Sequence, residues 1–171
     1  MSIERHRSES RELSISFCVI VTSDKVLRGI YVDEVIPLVT RILSKYEIGL
    51  RGHDLVSNDR SALIKALTEN LERCDVILVT GGSGLGPRDV SVDVVKEMCS
   101  KDIPGFGELF RYLTFQTYGS AALATRATAC AVRDRIVFVT PGSPTAVELA
   151  LDKLVLPEIR HLVAELRGLR H

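Results

Sequence analysis

The sequence predicts a single α/β domain in which helices cover both faces of a mostly parallel β-sheet. Two observations carry this prediction. Short, β-branched apolar segments of strand length recur along the chain, and segments with helical apolar spacing lie between them. This alternation is typical of a three-layer, doubly wound sheet. A length of 171 residues suits one such domain better than two marginal cores.

The elements can be assigned in chain order. Residues 1–12 are charged and polar, so we expect a disordered lead-in followed by one domain over residues 13–171. Arg133-Asp134 joins the last two strands as in a hairpin, so one strand should be antiparallel. The expected strands are residues 15–22, 50–56, 76–80, 129–132 and 136–140, and the expected helices are residues 33–46, 63–71, a segment from about 92, 106–118, one opened by Pro144 and a last one to about 166.

Several helix starts carry recognisable caps. Ser61 or Asp59 can cap the second helix, Ser91 is the expected N-cap of the third, and Ser143 is placed to cap the helix that Pro144 opens. Residues 119–126 are either helical or a tight connection.

Composition excludes several classes of partner. Lys and Arg number 22 and so do Asp and Glu, giving a formal net charge of zero, so we expect neither nucleic acid nor an anionic membrane as a partner. No apolar run approaches the roughly 18 residues that span a bilayer. The N-terminus lacks the apolar stretch of a signal peptide, so we expect a cytoplasmic protein. A neutral surface also opposes self-association only weakly.

The four cysteines are Cys18, Cys74, Cys99 and Cys130, and none forms a Cys-x-x-Cys pair. In a reducing compartment we expect packed thiols rather than disulfides or a sulfur-ligated metal.

Polar or glycine-rich residues follow three of the predicted strands. They are residues 22–24, residues 80–89 and residues 140–144. Ligands of open α/β sheets bind beyond the carboxyl ends of the strands. We therefore expect these three loops to meet along one edge of the sheet and to form the binding site.

The second of these loops, residues 80–89 (TGGSGLGPRD), is called the glycine loop below. Its glycines allow backbone N–H groups to approach an anion. It is neither a P-loop, which ends in Gly-Lys-Ser/Thr, nor a dinucleotide fingerprint, which needs glycine where Pro87 stands. Arg88 and Asp89 add an anion partner and a possible Mg²⁺ ligand. A plain turn with a surface ion pair remains the alternative interpretation.

Four ordered blocks of residues 14–166 resemble the MoaB/MogA family, which is related to the molybdopterin domains of plant Cnx1 and gephyrin. The blocks are TGGSG with RDVS at residues 80–91, PGFGE with Arg111, Thr125-Arg126, and PGS with AV at residues 141–147. The resemblance, nearer to the MoaB branch, implies a molybdopterin-binding α/β fold in homotrimers or homohexamers. It also implies transfer of AMP from Mg-ATP to the phosphate of molybdopterin, although some MoaB members have no established activity.

The resemblance also assigns roles to residues. Asp89 would hold Mg²⁺ or orient phosphates, and Asn58 and Asp59 occupy the loop of a second catalytic carboxylate. That loop usually reads Val/Ile-Pro-Asp-Asp/Glu, whereas here Asn58 replaces the first carboxylate and cannot supply its charge. The residues expected to bind molybdopterin or nucleotide are Ser23, Asp24, Asp33, Thr80, Gly81, Gly82, Ser83, Gly84, Arg88, Pro141, Gly142 and Ser143.

Three functions remain open at this point. The chain is a Mg-ATP-dependent molybdopterin adenylyltransferase, a molybdopterin carrier or scaffold without catalysis, or a structural oligomer whose site has decayed. Asn58 motivates the second, because binding can survive the loss of one carboxylate.

Overall fold

A computed structural model describes residues 13–169, so the predicted lead-in lies outside the described residues. Six strands form one sheet in the order β2-β1-β3-β6-β5-β4. The strands are β1 (Phe17–Thr22), β2 (Leu50–Val56), β3 (Val76–Thr80), β4 (Lys101–Asp102), β5 (Thr128–Val132) and β6 (Arg135–Thr140).

Strand directions confirm the mostly parallel sheet. β1 runs parallel to β2 and β3, and β3 runs parallel to β6. β5 is antiparallel to both of its neighbours, as the hairpin at Arg133-Asp134 predicts. β4 was not predicted from the sequence, because its two residues are exposed and carry no apolar pattern. Pairing with β5 alone defines that strand.

Seven α-helices connect and cover these strands within residues 13–169. They are α1 (Asp24–Leu27), α2 (Val35–Lys45), α3 (Arg60–Leu71), α4 (Ser91–Met98), α5 (Pro104–Tyr118), α6 (Pro144–Ala150) and α7 (Leu156–Leu166). Residues 119–124 form a 3₁₀ helix, and a π-helical turn joins α6 to α7. None of the helices described is long and apolar enough to cross a membrane.

Two of the predicted caps are confirmed and one is wrong. Asp59 caps α3 and Ser143 caps α6, each by accepting a backbone N–H of the first turn. Val90, not Ser91, is the N-cap of α4. The Ser91 backbone N–H already bonds the Gly82 carbonyl, and its buried hydroxyl turns toward the glycine loop instead of the helix.

Alternate residues of the buried strands face opposite sides of the sheet and create two cores. Phe17, Val19 and Val21 of β1 pack with α2, α5, α6 and α7, while Cys18 and Ile20 pack with α3 and α4. Each fully buried side chain of this size contributes roughly 1.5–3 kcal/mol relative to exposure. Burial on both faces explains why the strands are continuously apolar, and it establishes the three layers.

The cysteines correct the expectation of free thiols, since the structure joins Cys18 to Cys74 and Cys99 to Cys130 as disulfides. Their Cα atoms lie 5.9 and 5.7 Å apart. Pairing of strands causes the proximity of Cys18 and Cys74, because Cys74 lies two residues before β3, the neighbour of β1. The expectation that sulfur holds no metal stays a prediction. Asp102 lies near the Cys99–Cys130 pair, but both sulfurs are occupied by their bond.

Asp75 ties together the end of the sheet opposite the predicted site. Its carboxylate accepts the backbone N–H and the hydroxyl of Ser16 at 2.7 Å each, and it also contacts Arg135 and Arg167. Burial raises the pKa of Asp75, but the hydrogen bonds of Ser16 and the Arg167 guanidinium outweigh it, so the pKa lies below its usual value. The start of β1, the start of β3 and the segment after α7 are thereby held together.

Candidate functional site

The loops after β1, β3 and β6 meet at the carboxyl edge of the sheet, as predicted. The Gly81 N–H donates to the Thr140 carbonyl at 3.0 Å, and the Thr80 hydroxyl donates to the Pro141 carbonyl at 3.0 Å. A β-carbon on Gly142 would lie 3.2 Å from the Cα of Gly81. The order of the strands reverses at β1, so this edge is also the topological switch point at which such sheets bind ligands.

Gly81 and Gly82 have left-handed backbone conformations, with φ of 94° and 62°. A β-carbon on Gly81 would lie 2.7 Å from the Thr22 hydroxyl oxygen. One on Gly82 would lie 2.6 Å from Ser91 Oγ and 3.3 Å from Asn58 Oδ1. Both conformation and space therefore exclude side chains, and the backbone itself forms the surface presented here.

The first part of the glycine loop offers backbone donors. Within residues 13–169, the N–H groups of Gly82, Ser83 and Gly84 donate to no backbone or side-chain acceptor. Consecutive free N–H groups beside left-handed residues form the concave arrangement that binds anions. The glycine loop is thus able to bind phosphate oxygens without any cationic side chain.

Arg126, known from the sequence only as part of a family block, clamps the glycine loop. Its Nε donates to the Gly84 carbonyl at 3.0 Å and its Nη2 donates to the Asp89 carbonyl at 3.1 Å. Its Nη1 and Nη2 also donate to the two carboxylate oxygens of Asp93, at 3.0 Å each. The hydrogen bond from Arg126 lowers the pKa of Asp93, and the same bond raises the pKa of Arg126, so the pair stays ionised.

Arg88 does not pair with its neighbour Asp89. It forms a 2.6 Å salt bridge with Asp24, so the ion pair considered as an alternative is absent from the described structure. The second oxygen of Asp24 accepts the backbone N–H of Asn58 at 3.1 Å. Asp24 therefore links the loops after β1, β2 and β3, and its charge is balanced by Arg88.

The two carboxylates proposed for catalysis are both engaged in local structure. Asp89 Oδ2 accepts the Gly86 N–H at 2.8 Å, and the Asp89 N–H donates back to the Gly86 carbonyl at 3.0 Å. Asp59 accepts the Ala62 N–H at 2.9 Å as the cap of α3. Asp59 is thus committed to its helix, while Asp89 keeps one oxygen, Oδ1, outside the contact with Gly86.

The positions of these two carboxylates determine whether Mg²⁺ fits the site. Within the described residues, no group of three acidic, histidine or cysteine ligands converges beside the glycine loop. In nucleotide sites Mg²⁺ commonly takes one or two protein carboxylates and completes its shell with phosphates and water. Asp89 Oδ1 fits that minimal role, and the residues present do not form a protein-only cage.

Asn58, the residue that departs from the family pattern, faces the underside of the glycine loop. Its Oδ1 is buried and accepts no hydrogen bond from the described residues, and the same holds for the hydroxyl oxygens of Ser91 and Thr140. An unsatisfied buried polar group costs about 1–3 kcal/mol. Three such oxygens at one edge indicate a polar space whose hydrogen bonds are completed by a ligand or water.

Three further predicted binding residues accept backbone N–H groups of the first turns of helices, Ser23 and Ser143 as N-caps and Asp33 from the position before the N-cap. Ser23 accepts the Val26 N–H at 3.2 Å, Ser143 accepts the Ala146 N–H at 3.3 Å, and Asp33 accepts the first two N–H groups of α2 at 3.1 Å. Their side chains fix the starts of α1, α6 and α2 at the site edge. Any contact they make with a ligand is additional to this role.

Comparison with known proteins identifies relatives of the whole domain. Residues 18–161 match a family model described as a probable molybdopterin binding domain. Molybdenum cofactor biosynthesis protein B of Bacillus subtilis (strain 168) is 35% identical over 170 residues, covering 98% of each chain. The protein of that name from Staphylococcus carnosus (strain TM300) is 37% identical over 170 residues, covering 97% of this chain and 99% of its own.

Solved structures agree with this assignment. The tungsten cofactor synthesizing protein MoaB from Pyrococcus furiosus has a TM-score of 0.83 and 34% identity, covering 90% of this chain and 98% of its own. A MogA structure has a TM-score of 0.74 at 20% identity, which shows the shared fold alone.

Replacement of Arg126 tests the clamp on the glycine loop. We expect Arg126→Ala to weaken binding of inorganic pyrophosphate about tenfold, equivalent to about 1.4 kcal/mol, because the loop is no longer held in its binding conformation. Arg126→Lys should restore little of this affinity, since one ammonium cannot bridge two carbonyls and a carboxylate. Isothermal titration calorimetry measures both.

The matched control is Arg133→Ala, which removes an exposed arginine paired with Glu72 at the far end of the sheet. It should leave pyrophosphate affinity unchanged. Equal affinities in wild type and Arg126→Ala would show that the clamp does not position the loop.

Proposed function

Because the chain belongs to the family of probable molybdopterin-binding domains and to its MoaB branch, we propose that it acts in molybdenum or tungsten cofactor biosynthesis. In this proposal it binds molybdopterin and transfers an adenylyl group to it from Mg-ATP. The partners are small molecules, since a formal net charge of zero gives no electrostatic attraction to nucleic acid or anionic membranes.

The backbone of Gly82, Ser83 and Gly84 is the observation that carries the proposal. These three residues present successive N–H groups in a loop that Arg126 and the end of β1 hold in place. Both substrates of an adenylyl transfer carry phosphate. A preformed set of donors stabilises the charge of a transferring phosphoryl group without reorganising when the reaction occurs.

The reaction itself requires two phosphate groups to meet. An oxygen of the molybdopterin phosphate attacks the α-phosphorus of ATP, and the bond from that phosphorus to the β-bridging oxygen breaks. The products are adenylylated molybdopterin and pyrophosphate. The chain's own contribution is orientation and charge stabilisation by the glycine loop. Asp89 Oδ1 would hold a nucleotide-bound Mg²⁺, which neutralises phosphate charge.

A second candidate is a molybdopterin carrier without catalysis. Two observations favour the carrier. Asn58 carries no charge, and the charge of Asp24 is balanced by Arg88, so neither residue supplies a free carboxylate beneath the glycine loop. Phosphate binding by backbone N–H groups would remain intact in such a protein. Turnover therefore separates the two candidates, and binding does not.

Incubation with molybdopterin, ATP and Mg²⁺ tests the enzymatic proposal. We expect adenylylated molybdopterin and pyrophosphate from the wild type, resolved by chromatography. Asp89→Asn should lower turnover about a hundredfold, because it removes the charge while keeping the size of the side chain. Asp134→Asn is the control, since Asp134 is exposed in the turn between β5 and β6, and it should leave turnover unchanged.

Asn58→Asp decides between the candidates. If wild type forms no product and Asn58→Asp does, the chain is a carrier that has lost one carboxylate. If neither forms product although both bind molybdopterin, adenylyl transfer is contradicted. If neither binds molybdopterin or nucleotide, only the structural oligomer remains.

We also propose that the chain forms a homotrimer or homohexamer through α5. This helix and the 3₁₀ helix after it expose large apolar side chains, among them Phe115 at 59% and Leu123 at 86% exposure. Exposed apolar surface of this kind is typical of protein interfaces. The residues of this surface, called the α5 face, are Leu109, Tyr112, Phe115, Tyr118 and Leu123.

Charge placed on the α5 face should dissociate the assembly. We expect sedimentation equilibrium to give a trimer or hexamer for the wild type and a monomer for Leu109→Glu/Phe115→Glu, because a buried unpaired carboxylate is strongly unfavourable. Ile64→Glu, which changes a half-exposed residue of α3, should leave the assembly intact. A monomeric wild type at micromolar concentration refutes the interface.

A further inference from the structure

The two disulfides differ in their exposure to dissolved thiols. Cys18, Cys74 and Cys130 are fully buried. Cys99, the C-cap of α4, is the only one of the four cysteines that is partly exposed. Thiol–disulfide exchange requires a thiolate to reach a sulfur atom. A dissolved thiol can therefore attack the Cys99–Cys130 bond at Cys99, whereas the Cys18–Cys74 bond is shielded at both sulfurs.

The surroundings of Cys99 allow its bond to open and to form again. Asp102 Oδ1 lies 3.7 Å from Cys99 Sγ, and the Lys96 ammonium forms an ion pair with this carboxylate. An approaching thiolate thus meets little net negative charge. Ser100 donates its backbone N–H and its hydroxyl to the Ala131 carbonyl, at 2.8 Å each. These two bonds keep the sulfurs near each other after the S–S bond opens.

The Cys99–Cys130 disulfide joins the two elements that carry the clamp on the glycine loop. Asp93 lies on α4, six residues before Cys99, and Arg126 lies four residues before Cys130 of β5. α4 itself begins two residues after the glycine loop. A covalent bond therefore fixes the spacing of the elements whose side chains hold this loop.

The other contacts between these elements hold the helix more firmly than the clamp. The Arg126–Asp93 ion pair is open to water, with 30% and 52% of the two side chains exposed. Ion pairs at this exposure stabilise a structure weakly, because water and salt screen them. Val92, Val94 and Val95 bury α4 in the core on this side of the sheet. We therefore expect opening of the disulfide to loosen the clamp without unfolding the helix.

We propose that the Cys99–Cys130 disulfide is a redox switch that controls how firmly Arg126 holds the glycine loop. A thiolate of a low-molecular-weight dithiol attacks Cys99 Sγ, the S–S bond breaks, and Cys130 leaves as a thiolate that takes up a proton. The second thiol of the dithiol then displaces Cys99 from the mixed disulfide. The protein gains two electrons and two protons, and the dithiol becomes a cyclic disulfide. Oxidised glutathione reverses the change and is itself reduced to two thiols.

The switch acts on the phosphate site of the proposed function. With the clamp loosened, the N–H groups of Gly82, Ser83 and Gly84 are held less firmly in the conformation that binds an anion, so phosphate affinity falls. This effect on binding rests on the proposed function. The effect on the mobility of the glycine loop does not, and it can be measured without a ligand.

The first experiment tests whether reduction is selective. Protein oxidised with glutathione disulfide is treated in its native state with dithiothreitol, quenched in acid, unfolded, alkylated with N-ethylmaleimide and analysed by mass spectrometry. We expect label on Cys99 and Cys130 at dithiothreitol concentrations that leave Cys18–Cys74 intact. Resistance of both bonds, or opening of Cys18–Cys74 first or at the same rate, overturns the inference.

The second experiment measures the glycine loop in the two redox states of the wild type. Hydrogen exchange followed by mass spectrometry should be about threefold faster for residues 80–93 in the reduced protein, with β1 unchanged. Calorimetry should show pyrophosphate binding about fivefold weaker in the reduced protein, and oxidised glutathione should restore it. Far-UV circular dichroism should be the same in both states.

Variants assign the response to one disulfide. Cys99→Ser/Cys130→Ala should show the fast exchange and the weak binding whether or not dithiothreitol is present. Cys18→Ala/Cys74→Ala is the matched control, which lacks the other disulfide and should keep the full redox response. The wild type is compared with itself in two redox states, so the test does not depend on either variant folding.

Failure of the switch is distinguishable from failure of the proposed function. Equal exchange of residues 80–93 in the two redox states, or measurable but equal pyrophosphate affinities, overturns the switch and leaves the phosphate site intact. A difference in exchange without pyrophosphate binding in either state supports the switch and overturns the glycine loop as a phosphate site.

Discussion

The arrangement of the site depends on the close approach of the Gly81–Gly82 backbone to the end of β1. Both glycines have positive φ, and a β-carbon on either would lie within 2.7 Å of a neighbouring side-chain oxygen. This contact brings the loops after β1 and β3 together, and the bond from Gly81 to Thr140 adds the loop after β6. Arg126 then holds the far part of the glycine loop through the carbonyls of Gly84 and Asp89.

The sequence predicted the central fold well because its signal is local. β1, β3 and β6 are buried on both faces, and continuous apolar residues report that burial directly. β4 escaped prediction because its two exposed residues become a strand only by pairing with β5. The disulfides were not predicted for a similar reason. Their partners are 56 and 31 residues apart in sequence and meet only when the strands are ordered in the sheet.

The location of the candidate site could be predicted from the sequence, but its hydrogen bonds and ion pairs could not. Strand ends located the three loops, but the sequence could not show that Arg88 pairs with Asp24 or that Asp59 serves α3. Arg126 lies 42 residues from Gly84, so only the Thr125-Arg126 family block gave any signal for it.

The proposed function depends on phosphate binding by the backbone N–H groups of Gly82, Ser83 and Gly84. Titration of ¹⁵N-labelled protein with inorganic pyrophosphate, followed by NMR, tests it residue by residue. We expect saturable changes in these three amide resonances. The resonances of Gly29 and Gly168, which also have positive φ but lie outside the glycine loop, should be unaffected. Unchanged resonances at residues 82–84, or changes confined to another surface, would contradict it.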